Sequence, residues 1–86
     1  MKVYARPIET IAWFTKEGKP MPVKFKFALR DEVLTIKVDK VIDISEERLA
    51  GNRMFVYKCR SVIEGEEKLY ELKYELNTCK WFMFKM

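Results

Sequence analysis

The side chains in this chain best suited to chemistry are its cations, and their spacing says what they could do. Lys24 and Lys26 alternate with Phe25 and Phe27 between Val23 and Arg30. An extended backbone sends such residues to opposite faces, ammonium groups on one side and rings on the other. Lys37 falls on the corresponding phase of the next segment, and Lys58 and Arg60, with Lys73, extend positive charge further along the chain. Cations spaced along a sheet face suit a phosphate backbone, but single-strand recognition also asks for aromatic rings beside them on the same face. Phe25, Phe27, Tyr57, Tyr74 and Trp81 occupy the opposite phase and read as core. Phe82 and Phe84 do not follow Trp81. With Val56 and Met86 they form an apolar stripe on the outer phase, beside Lys73, which is either covered by another element or serves as a contact surface.

Other chemistries find little support. Histidine is absent, which removes the commonest general base and transition-metal ligand. Cys59 and Cys79 have no histidine partner and read as reduced thiols. Gly18, Gly51 and Gly65 stand singly, so no phosphate-cradling loop forms. Glu64, Glu66 and Glu67 straddle a turn and read as a solvated hairpin tip rather than a cation site. The expectation is therefore no catalytic residues, no metal and no cofactor. With 17 Lys and Arg against 13 Asp and Glu, the net charge of +4 is too mixed to identify a polyanion partner by itself.

The elements that must position these groups read as strands throughout. The 86 residues are 49% hydrophobic and 14% aromatic, enough for one small folded domain spanning 1–86. No apolar run approaches the ~18 residues needed to span a bilayer, and the first residues lack an export signal, so the expected location is the cytoplasm, without membrane association. Val3 to Lys16 forms a first segment, which Pro7 is expected to divide, and Glu17-Gly18-Lys19-Pro20 turns the chain. Val23 to Arg30 follows. Val33 to Ile44 comes next, with a bulge or strong bend near Asp39-Lys40 to free the Lys40 ammonium. From Ser45 to Gly51 a capping serine, two glutamates and a glycine predict a short helical turn near 45–50. Met54 to Glu64, Glu67 to Leu76 and Cys79 to Met86 complete a meander.

Two hairpin registers test that meander. A type II′ turn at Gly65-Glu66 sets Tyr57 opposite Tyr74 and Cys59 opposite Leu72. A loop at Asn77-Thr78 sets Tyr74 opposite Trp81 and Leu72 opposite Met83. Both place the apolar residues on one face and keep the two thiols beyond disulfide reach. The predicted fold is all-β: a five- or six-stranded antiparallel meander coiled into a small barrel or half-barrel.

The stretches Leu49-Ala50-Gly51-Asn52-Arg53-Met54, Tyr57-Lys58-Cys59-Arg60-Ser61-Val62 and Tyr70 to Trp81, with Pro7-Ile8 and Trp13-Phe14, resemble a small family of uncharacterised bacterial proteins. That resemblance implies bacterial origin and a stand-alone domain, and no mechanism. The functional expectation is a non-enzymatic binding module. Its basic face, Lys24, Lys26, Lys37, Lys58 and Arg60, takes single-stranded RNA or DNA as the favoured partner, with Phe82 or Phe84 stacking if exposed. The alternative is protein interaction or self-association through Val56, Phe82, Phe84 and Met86.

Overall fold

The computed structural model describes all residues 1–86, and it contains strands and turns but no helix. Seven strands follow one another: β1 Val3–Phe14, β2 Pro20–Leu29, β3 Glu32–Lys37, β4 Lys40–Leu49, β5 Asn52–Ile63, β6 Glu66–Glu75 and β7 Lys80–Lys85. They form one antiparallel sheet in the order β3-β2-β1-β7-β6-β5-β4. The all-β expectation holds. The strand count is seven rather than five or six, and the hydrogen-bonded ladder is open, with β3 and β4 as its outer members.

Those outer members are halves of one chain segment. β3 pairs with β2 and β4 pairs with β5, while Val38 N donates to Val23 O at 2.9 Å and Asp39 N donates to Arg60 O at 3.1 Å. The chain changes partner between these two residues, close to the bend expected at Asp39-Lys40. Side chains reinforce the junction. Ser61 Oγ donates to Lys37 O at 2.6 Å; having spent its single proton there, it accepts from the Tyr70 hydroxyl, also at 2.6 Å. The Asp39 carboxylate accepts from Val62 N at 2.9 Å. A second bulge, between Val41 and Asp43, reverses the phase of β4: Val41 and Ile44 pack on the core, and Ile42 turns outward.

Coiling brings distant strands together around one apolar cluster. Phe25 of β2 meets Tyr70 of β6 with ring centroids 5.5 Å apart, and Tyr4 meets Phe27 edge-on at 5.0 Å. Tyr57, Cys59, Leu72 and Met83 are fully buried between them. Trp81 continues the cluster in tilted contacts with Tyr57 and Tyr74, at centroid distances of 5.2 and 4.9 Å. Each such pair adds about 0.5–1.5 kcal/mol beyond the area it buries. The Tyr57 hydroxyl crosses the core to donate to Pro20 O at 2.5 Å, which ties the β1–β2 hairpin down onto β5.

Three expectations need correction. The helical turn at 45–50 is the end of β4 followed by a two-residue turn, Ala50-Gly51, with both φ values positive (51° and 81°). This is type I′ geometry, which strand twist favours. The acids that suggested a helix N-terminus instead reach across strands: Glu46 pairs with Arg53 at 2.8 Å and Glu47 with Lys73 at 2.9 Å. Next, the β5–β6 turn is Glu64-Gly65, again type I′, so Tyr57 faces Leu72, Cys59 faces Tyr70 and Lys58 faces Glu71. That is a two-residue slip from the expected register, which preserves every residue's face because side chains alternate with period two. The β6–β7 register, Tyr74 to Trp81 and Leu72 to Met83, is as expected. Finally, Pro7 does not divide β1. The irregularity lies between Val3 and Arg6, with Ala5 at φ 48°, and the β1–β2 ladder begins only at Glu9, so the proline removes no donor from it.

Two predictions follow from the buried polar groups. Tyr57→Phe should destabilise the fold by about 1–3 kcal/mol, because it strands the buried Pro20 carbonyl; urea denaturation measures this. Burial raises the Cys59 thiol from its usual 9.0 to about 12 and pushes the Tyr57 and Tyr70 phenols upward as well. Folded pKa values above the unfolded ones mean this stabilisation is complete below about pH 9 and is lost as pH rises toward 12. Urea midpoints should fall over that alkaline window, and a Cys59→Ala variant should show a shallower fall.

Candidate nucleic-acid interface

The outer face of β1, β2 and β3 is built by alternation. Phe25 and Phe27 bury their rings at 2% exposure, so Lys24 and Lys26 must face outward. Ile36 is buried in the same way and turns Lys37 out. The β2–β3 register places Lys24 directly opposite Lys37, about 5 Å away across the ladder, and Lys26 opposite Thr35. On the other side Lys24 faces Ile11 and Lys26 faces Glu9. None of the three lysines has a carboxylate within 4.0 Å, whereas five ion pairs form elsewhere. Lys24 and Lys37, like charges side by side with no acid in register with either, make an anion-attracting surface, and Glu9 stands beside Lys26.

This face is grooved. A depression of about 420 Å³ runs between Glu9, Ile11, Lys24, Lys26 and Thr35, and a neighbouring one of about 520 Å³ extends past Glu9 and Lys26 to Val33, Lys80 and Cys79. Ile11 and Trp13 share the outer phase of β1 and are 57% and 55% exposed. An exposed aromatic ring on this face is therefore Trp13, a residue the sequence pattern did not single out. The sequence puts Ile11 and Trp13 on the phase opposite to Ile8 and Ala12, but only the structure, in which Ile8 and Ala12 pack on the core, shows which phase faces out.

Of the five cations expected at the interface, Lys24, Lys26 and Lys37 come together. Lys58 and Arg60 stand on β5. Lys58 lies between Asp43 and Glu71, and half-buried Arg60 lies between Lys40 and Leu69. Lys80, at the edge of the second depression, joins the face instead.

The expected apolar stripe is only partly a unit. Val56, Phe82 and Phe84 are half-buried on the outer side of β5 and β7, lying on either side of Lys73. The Lys73 ammonium sits 3.6 Å from the centre of the Phe84 ring while bonding Glu47 at 2.9 Å, so its stem covers part of the stripe. Met86 is separate: it packs on the core, and its backbone pairs with Lys2.

The two cysteines are free and differ in environment. Cys59 is fully buried, whereas Cys79 is exposed in the β6–β7 turn at φ 60°. Uniformly slow thiol labelling is therefore not expected. A disulfide reagent should titrate one thiol rapidly in the native protein and the second only on unfolding, and Cys79→Ser should remove the rapid phase. No family model, curated protein or solved structure matches this chain.

Proposed function

We propose that this protein is a non-enzymatic binding module for single-stranded nucleic acid, using the outer face of β1, β2 and β3. What supports the reading is the triad of Lys24, Lys26 and Lys37, none of them in an ion pair and only Lys26 in register with an acid, Glu9, set beside a groove on a face where Trp13 is also exposed. Lys24 and Lys26 project about 7 Å apart along the strand, a spacing that lets each meet a separate phosphate of an extended chain. Ile11 offers an apolar floor, and the Trp13 indole offers a face for a base, which accepts any sequence because every base has one. On this reading the coiled sheet acts as a small barrel whose last gap is bridged by the bend at Val38–Asp39, and it holds the three cations in fixed register.

Fluorescence anisotropy with labelled oligothymidylate and oligouridylate tests this. Three phosphate contacts predict that log K falls with log salt at a slope of about −2. Lys24→Glu combined with Lys26→Glu should abolish binding, and Trp13→Ala should weaken it about 5- to 150-fold, the range expected for loss of one stacked base. Lys58→Glu, at a site flanked by acids, should leave affinity unchanged. Absence of salt-dependent binding, or equal affinity of the double lysine variant, would end the proposal.

A further inference from the structure

Along β1 the ladder to β7 stops at Ile8, whereas pairing with β2 continues to Phe14. From Glu9 to Phe14 one edge of β1 therefore has no neighbouring strand. Unpaired edges attract other strands, and proteins ordinarily guard them with charge, proline, bulges or brevity. The strands at the two ends of this sheet are guarded in these ways. β2 carries Pro20 and Pro22 where it extends beyond β3, β3 has only six residues, and β4 combines a bulge with Lys40, Asp43, Glu46, Glu47 and Arg48. The free stretch of β1 has one charge, Glu9, and a bulge in its pairing with β2 between Ile11 and Ala12, but it presents Ile11, Trp13 and Phe14, each more than half exposed. Thr10 Oγ1, on the same stretch, is buried without a hydrogen-bond partner.

We propose that a second copy of this chain pairs with β1 along this edge, antiparallel, with Ala12 of both copies at a two-fold axis normal to the sheet. Such an axis joins like faces, so outer residues meet outer residues and only registers centred on a residue are allowed. Centring on Ile11 sets Trp13 against Glu9, and centring on Trp13 sets Ile11 against Thr15. Centring on Ala12 alone sets Ile11 opposite Trp13 of the second copy, twice, and brings Glu9 beside Thr15 and Lys16 of the second copy. The edge is thus complementary to itself, which identifies the occupant as another copy. The pairing extends the sheet to β3-β2-β1-β1-β2-β3 and turns both lysine triads to the same side. It rests on the edge and its apolar residues, and stands whether or not nucleic acid binds. An indole packed on one face keeps its other face free for a base.

Sedimentation equilibrium of the full chain, without nucleic acid, tests this. The contact is small, so the pair is weak and the apparent mass should rise toward double with concentration. Ile11→Lys with Trp13→Lys faces like charges twice and should hold the chain monomeric. Ile11→Lys with Trp13→Glu places each new ammonium opposite a new carboxylate and should restore the dimer in this register and no other. Both positions are exposed, and thermal melts of the variants verify that the fold is kept. A wild-type chain that stays monomeric, a double-lysine variant that still dimerises, or a lysine–glutamate variant that does not, overturns the proposal.

Discussion

The structure depends on how one segment, Glu32 to Leu49, serves both ends of an open sheet. At Val38 and Asp39 consecutive amides bond to opposite sides, one to β2 and the next to β5. Nothing in a linear ladder holds its two ends together, so coiling must be fixed by bonds across the gap. Ser61, Tyr70 and Asp39 supply them, and the buried hydroxyls are satisfied only while Lys37 O stays in reach. A half-satisfied buried network costs more than an apolar replacement, which makes the junction decisive in either direction. Once it forms, Phe25 and Tyr70 can share a core although three ladder steps separate their strands.

The basic face is a by-product of that closure. Phe25, Phe27 and Ile36 are held inward by the opposite half of the sheet, and alternation does the rest, delivering Lys24, Lys26 and Lys37 to the outside in fixed pairing. Where the sheet carries acids, the cations are neutralised: Lys73 by Glu47, Arg53 by Glu46 and Lys85 by Glu71. The modest net charge conceals this division. Its meaning lies in where the pairs form: all five lie in β4 to β7, and none involves Lys24, Lys26 or Lys37.

Much of this was legible in the residues because period-two alternation is a strong local signal. It sorted Phe25, Tyr57, Tyr74 and Trp81 inward, located the bend beside Asp39 and set the β6–β7 register. It could not see strand order, because β1 inserting between β2 and β7 is a long-range choice that no local pattern encodes. Ser45 to Gly51 misled for a definable reason: serine, two acids and a terminal glycine suit a capped helix, while the same glycine suits a type I′ turn and the same acids suit cross-strand pairs. At Glu64-Gly65 the error was two residues and left every face intact. Along Ile8 to Phe14 both phases are apolar, so alternation had no contrast to report, and the exposed Trp13 became visible only with the strand's neighbours in place.

Native-state hydrogen exchange followed by NMR measures the junction most directly. If the bent segment holds the two sheet ends as one unit, the amides of Val38, Asp39 and Val62 exchange only with global unfolding, at the same free energy as those of Tyr57 and Leu72 in the core. Exchange of the three junction amides at a free energy well below the core's would show the ends parting on their own, and would contradict the account.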